Sequence, residues 1–465
     1  MSIRARWPAF AQLLVICLCW VSSSPAWAVP SFARQTGMAC SACHTVFPEL
    51  TPFGREFKLS GYVLDNVRQV TGVNSDNRET LALNALAPLS IMLQISYTHT
   101  TDAVPDSTLA NAYAKDGDVL FPQQASFFYA GKIADNLGAF VQLTYDGPAD
   151  HFGIDNTDIR YARHIELGSD SAPSSHTLLV GVTLNNNPTV QDVWNTTAAW
   201  GFPYSGSSTA PTPITSAKLD SGAGGIGQNA AGLGIYAWFD DSLYAEATLY
   251  AAAVVGGAHP LDSTDSNVIH GVSPYWRVAY ERRWDKNSVS IGAYGITTYM
   301  HPGNGTALAG PVDRYTDAAA DVQYQFIGED HLFSFLSTYI NERQSLDASV
   351  LDGFAQSNSG TLNTFKAVGE YTYQRNIGGS LGFFNISGST DSLLYPQAPV
   401  VGSLTGNPGS RGYIAEINYL PFLNTKLQLQ YIRYAKFNGA STDYDGAGRN
   451  ASANNTLYLL AWVNF

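Results

Sequence analysis

From about residue 88 to the C-terminus, apolar and polar residues alternate in short runs broken by turn formers. Leu89, Ile91, Leu93, Ile95 and Tyr97 share one parity, and Ser90, Met92, Gln94, Ser96 and Thr98 share the other. Near the end, Leu427, Leu429 and Tyr431 alternate with Lys426, Gln428 and Gln430. A period of two belongs to a strand, whose successive side chains point to opposite faces. One apolar and one polar face per strand is what a wall between lipid and an aqueous lumen requires.

The connections alternate too. Tight turns are expected at Asp135-Asn136, Asp240-Asp241, Asp285-Lys286-Asn287, Gly328-Glu329-Asp330, Arg375-Asn376 and Leu423-Asn424, with a slightly longer one from Gly168 to Ser175. Between them lie longer polar segments rich in Gly, Ser and Asn, for example 101–122, 185–224, 254–274, 342–362, 387–411 and 438–453. Seven short turns interleaved with eight long loops require about sixteen strands, the even number of a bacterial outer-membrane barrel. The last strand, Thr456 to Phe465, ends on an aromatic residue, as such barrels usually do. A soluble β-sandwich would also alternate, but without short and long connections taking turns over so many strands.

The first residues read as a processing segment. Arg4 and Arg6 precede an apolar run from Ala9 to Val21, and Ala26-Trp27-Ala28 supplies small residues for cleavage. The run is shorter than the ~20 residues a spanning helix needs. The expected organisation is therefore a signal peptide over 1–28, a small module over 29–78 and a barrel over 79–465. Cys17 and Cys19 leave with the signal, so the exported chain keeps Cys40 and Cys43. It also carries 23 basic against 38 acidic residues, a net charge of about −15. That balance speaks against a nucleic-acid partner, which needs clustered Lys and Arg. With 26 Tyr, 42 Gly and few charges, the composition also suits a barrel embedded in outer-membrane lipid.

Cys40-Ser41-Ala42-Cys43-His44 has the C-x-x-C-H spacing of covalent haem c attachment. Two thiols three positions apart reach the two vinyl groups of one porphyrin, and the adjoining imidazole lies beneath the iron. A disulfide, a thioredoxin-like pair and half of a zinc site compete. No second cysteine pair exists for zinc, and no βαβ pattern surrounds the motif.

Residues Pro30 to Tyr62 resemble the fused monohaem cytochrome–porins of iron-oxidising bacteria. The shared pattern stands at Ala33–Gly37, Cys40–His44, Pro48–Lys58 and Gly61–Tyr62, with a weaker match at Leu184–Asn195 and Ala199–Tyr204. The resemblance implies an outer-membrane iron-oxidising oxidoreductase. It would take electrons from extracellular Fe(II) at one haem and pass them to a periplasmic cytochrome or copper protein.

Local roles follow as expectations. His44 is the proximal ligand. Arg34, Arg55 and Lys58 are candidates for the haem propionates, a solvated surface charge being the plainer reading. Phe32, Phe47, Phe53, Phe57 and Tyr62 would cover the porphyrin. For the distal side, Met92 has lumen-facing parity, against its reading as a packing methionine. Met38 sits too near Cys40, Met300 is the other mature methionine, and His99 is a weaker candidate. An open distal position is the remaining alternative.

Asp146, Asp150 and His151, with Asp155 and Asp158, form a candidate Fe(II) approach site on a long loop, where carboxylates at a rim are otherwise ordinary solvation. Asp102, Asp106, Asp116 and Asp118 form a weaker one. Asn185–Pro188 with Trp194 and Trp200 is either an infolded loop touching the haem or a packed surface loop. A single haem cannot bridge an apolar wall ~25 Å tall, so the module is expected inside the lumen, as a plug. The competing functions are an uptake channel with a structural or sensory haem, and a conduit for a donor other than iron.

Overall fold

The computed structural model describes residues 30–465 except 65–66, 74, 77–78, 106–116, 170–171, 189–191, 197–203, 215–216, 220–224, 229, 253–267 and 303–309. The leader with Cys17 and Cys19, and also Asp106, Asp116 and Trp200, lie outside the described residues. Three short helices come first: α1 (Pro30–Thr36), α2 (Cys40–Cys43) and α3 (Pro52–Leu59). A hairpin of β1 (Gln69–Val73) and β2 (Glu79–Asn84) forms a sheet of its own.

The wall begins at Leu89. Its strands are β3 (Leu89–Thr100), β4 (Val119–Ala134), β5 (Leu137–Asp146), β6 (His151–Ser169), β7 (Ala172–Asn185), β8 (Ala230–Phe239) and β9 (Leu243–Ala252). After the two-residue β10 (Val268–Ile269) come β11 (Ser273–Trp284), β12 (Asn287–His301), β13 (Asp313–Ile327), β14 (His331–Ser345) and β15 (Ser359–Tyr373). The series ends with β16 (Ile377–Gly388), β17 (Ser410–Phe422), β18 (Thr425–Lys436) and β19 (Thr456–Asn464). Each pairs antiparallel with the next, β9 with β11, and β19 with β3 from Thr456↔Thr100 to Asn464↔Met92. Phe465 and Ile91 exchange backbone hydrogen bonds of 2.7 and 2.8 Å at the seam. Leaving β10 aside, the closed wall has the sixteen strands expected.

Alternation places the two faces. On β3, Ser90, Met92, Gln94, Ser96, Thr98 and Thr100 are buried toward the lumen, while Leu89 and its parity mates face out. Leu233, Ile235, Ile291, Leu381 and Ile417 likewise stand exposed on the outer surface, with Phe239, Trp284 and Tyr373 beside the short turns and Tyr299 and Tyr413 toward the other end. An apolar outside over a polar inside inverts the pattern of a water-soluble sheet and suits a bilayer. Among the described residues no helix is long and apolar enough to cross a membrane.

The short turns fall where Asp and Asn tolerate the left-handed region: Asn136, Asp240, Asp241 and Asp285 all have positive φ. One expected long loop is absent. Asp146 and His151 pair directly, and only residues 147–150 turn between β5 and β6. Asp146 accepts the Ala149 N–H at 3.1 Å and Asp150 adopts φ 50°, which closes the turn tightly. Asp155 and Asp158 are therefore strand residues. His99 is corrected too: it shares the outward parity of Leu89 and Tyr97 and is exposed, so it cannot face a lumenal group.

The lumen is occupied. Residues 30–62 bond to strands on opposite sides of the wall. Gln35 donates to the Ala130 carbonyl, Tyr62 to Asp158, and Tyr236 donates to the Leu59 carbonyl. Across the lumen, Arg55 meets Glu281, and Gln325 donates to Glu49. These wall residues lie toward the short turns, so the segment plugs that half of the barrel. The connection after β7 folds inward over it. Trp194 donates to Glu281, Thr196 to Asp321, Ser205 to Gln428, and the Lys218 N–H to Glu342. Of the two readings of Asn185–Pro188 with Trp194, the inward-folded position is the one observed.

Candidate functional site: a cavity behind the C-x-x-C-H motif

Local sequence chemistry builds the motif. Positions i and i+3 lie on one side of a helical turn, so the single turn of α2 presents Cys40 and Cys43 together. His44 follows, its backbone N–H donating to the Cys40 carbonyl at 2.9 Å. Thr51 then starts α3: its Oγ1 accepts from the Gly54 N–H at 3.1 Å and donates to the Ala42 carbonyl at 2.6 Å. A hydroxyl cap followed by Pro52 at the first helical position is a strong helix start. The same residue therefore ends one helix contact and begins the next.

Gly54 permits the close approach of α3 to the motif. A Cβ there would sit 2.2 Å from the Cys43 carbonyl oxygen, a backbone atom that cannot swing away. Gly54→Ala should therefore cost about 1–3 kcal/mol of module stability. Faster proteolysis within residues 30–62, with the barrel still heat-modifiable on gels, would report it; unchanged protection would refute it.

The motif faces a cavity of about 310 Å³ that is partly open to solvent, within the ~300–1,000 Å³ usual for small-molecule sites. Cys40, Cys43, His44, Met38, Phe32, Phe47, Phe57, Lys58 and Tyr62 line it from the module, and Met92, Gln94, Gln124, Phe128, Gln142, Asp155 and Trp462 from the wall. Asn195 and Tyr204 close it from the infolded connection. Phe32 stacks on Tyr62 with centroids 5.6 Å apart and meets Phe57 edge-on at 5.1 Å. Phe53 is not among the lining residues.

The competing readings of the thiol pair fit poorly. Cys40 and Cys43 are unbridged. Burial, then the neighbouring Cys40, pushes the Cys43 thiol up to about 11, opposite to the lowered pKa of an activated dithiol. Among the described residues no three His, Cys, Asp or Glu side chains converge on a metal position. His44 is enclosed; burial lowers its pKa, opposed by the backbone of Glu49 and Pro48. Its Nδ1 is buried without a hydrogen-bond partner. An imidazole beside two unbridged thiols, in an aromatic-lined cavity, fits a haem c.

The three expected cations separate. Lys58 lines the cavity; burial pulls its ammonium down to about 8, Asp158 opposing and Arg160 assisting. Arg55 does not line it. Its guanidinium grips Glu281 through two contacts of 2.9 Å and donates to Gln323 and Gln325. Arg34 donates to the Leu89 carbonyl at the barrel edge. Both arginines dock the module to the wall.

Met92 lines the cavity yet also packs with Phe47, Phe128 and Trp462. Met300 packs in a separate cluster with Tyr275 and Tyr294. Of the acidic group, Asp146 and Asp150 stay exposed at the turn, Asp150 accepting from Tyr145 at 2.6 Å, and His151 lies beside them. Asp158 is buried, receiving Tyr62, Thr183 and Arg160. A bulge opposite Val141 and Leu143 turns both Asp155 and Asn156 toward the cavity. Asp102 and Asp118 are exposed. Sequence reasoning missed Gln94, Gln124, Gln142, Asn195, Tyr204 and Trp462; lumen parity of β3, β4, β5 and β19 was the available signal for those on strands.

No family model matches the chain, and no curated protein matches it. Among solved structures it is similar to a loop-deletion mutant of OmpT, an outer membrane protein of Vibrio cholerae (10% identity, 81% of this chain and 98% of that one, TM-score 0.43). It is also similar to Salmonella typhi OmpF in complex with daunomycin (12%, 81% and 97%, 0.45) and to the outer membrane channel DcaP of Acinetobacter baumannii (10%, 81% and 96%, 0.42).

Proposed function

We propose that this chain is an outer-membrane electron-transfer protein, an iron-oxidising oxidoreductase that carries one covalent haem c inside its barrel. The observation that carries the reading is Cys40–His44 facing an aromatic-lined cavity within a membrane-suited wall. Haem c bound there would supply a one-electron centre. Cys40 and Cys43 would hold it by thioethers, His44 would ligate its iron, and Met92, which lines the same cavity from the wall, would be the candidate second ligand. Lys58 would neutralise a propionate. Phe32, Phe47, Phe57 and Tyr62 would cover its faces, and burial of this kind helps to raise a haem potential.

The choice of Fe(II) as donor rests on the resemblance over Pro30–Tyr62. The donor would approach from the long-connection end, past Asp146, Asp150 and His151. A periplasmic cytochrome or copper protein would collect the electron at the short-turn end, where the module sits. A lumen filled by the module and by the inward connection supports electron transfer over solute diffusion.

The test is to mix oxidised, purified full-length protein with Fe(II) and follow the haem bands in a stopped-flow spectrometer. Rapid reduction is the expected result; unchanged spectra would remove the iron assignment. In planar bilayers the protein should pass little current, and open-porin conductance would favour an uptake channel.

A further inference from the structure

One cavity-lining group is unused by the reading above. Tyr204 comes from the infolded connection, not from the module, and its hydroxyl oxygen is buried with no hydrogen-bond partner among the described residues. Its neighbours in the connection are anchored: Ser205 donates to Gln428 at 3.1 Å, and Gln430 donates to the Ser205 carbonyl at 3.0 Å. The phenol is therefore delivered to the cavity by a pinned backbone. A buried hydroxyl without a partner is costly, so its retention at the cavity wall points to a partner that occupies the cavity.

We infer that Tyr204 is a positioning residue whose O–H donates a hydrogen bond to the haem held by Cys40, Cys43 and His44. The inference rests on the proposed haem site. Donation, not ligation as phenolate, suits the surroundings. Burial, and then Glu49, Glu370, Glu416 and Asp192, hold the phenol well above its ordinary pKa, so it stays protonated. The positive end of the O–H dipole then points at the bound group and favours its reduced form.

Tyr204→Phe removes one oxygen and keeps the ring, so barrel assembly and haem content should be unchanged. Spectroelectrochemical titration of the full-length protein should show a reduced-to-oxidised ratio about tenfold lower at a given potential, which is about 59 mV for one electron. A purely structural tyrosine would leave the midpoint where it was, and that result, with haem loaded, overturns the inference. Should the variant fail to assemble, wild-type protein in D2O provides the second readout. A deuterium-sensitive haem Raman line supports the bond, and its absence refutes it. Protein that carries no covalent haem at all would sink the proposed function instead, a failure visible in the haem assay before any titration.

Discussion

Replacing both motif thiols, Cys40→Ala with Cys43→Ala, should yield a closed barrel that reaches the membrane and carries no covalent haem. The wall closes through backbone pairing of β19 with β3, from Thr456↔Thr100 to Asn464↔Met92, and uses neither cysteine. Docking of the module relies on Arg55, Glu49, Gln35 and Tyr62, which the substitution leaves intact. Heat-modifiable migration on gels checks the barrel, and a haem stain on denatured protein checks attachment. His44→Ala should act differently, leaving thioether-bound haem without its low-spin spectrum. Haem retained after denaturation of the double alanine protein would show that attachment lies elsewhere, and the assignment of this site would be wrong.

Glu281→Ala should release the plug. Glu281 sits on β11 facing the lumen and accepts four contacts. Its Oε1 takes Arg55 Nη2 at 2.9 Å and Arg283 Nε at 2.6 Å; its Oε2 takes Arg55 Nε at 2.9 Å and the Trp194 indole N–H at 2.6 Å. One carboxylate thus joins wall, module and inward connection. Both Arg55 and Glu281 are fully buried, and removing one partner of such a pair costs about 3–5 kcal/mol because the other charge is left stranded. Conductance in bilayers should rise from near zero toward that of an open barrel, and residues 30–62 should become open to protease. Changing both partners, Arg55→Met with Glu281→Met, should recover much of the loss, since neither fully buried charge is then left stranded and the part-exposed Arg283 keeps Glu56. A single variant that stays closed and protected would mean that the other contacts alone hold the plug.

Lys58 and the two arginines show why residue type near a motif is a poor guide to role. All three stand within fifteen positions of His44, and each could reach a propionate from a chain drawn on paper. Arg55 instead finds Glu281 across the lumen, 226 positions away, and is consumed by docking. The acidic group around 146–158 divides: Asp146, Asp150 and His151 stay together at a four-residue turn, while Asp158 joins the wall network and a bulge turns Asp155 to the cavity. His99 is another matter. Its outward face was readable from the parity of Leu89 to Tyr97.

By itself the sequence determined the wall and the spacing of the two thiols and the imidazole at the motif. A two-residue period, Asp- and Asn-marked turns and C-x-x-C-H are all local: each is decided by neighbours along the chain, because strand pleat, turn geometry and the reach of two thiols are short-range matters. Only the tertiary structure decided which lumenal groups converge. Tyr204, Asn195, Met92 and Trp462 meet Cys40–His44 because closing the barrel brings residues hundreds of positions apart to one cavity, and because the connection after β7 turns inward. Polar lumen residues have many admissible partners, and the choice among them rests on three-dimensional distance, for which a chain of alternating residues holds no local sign.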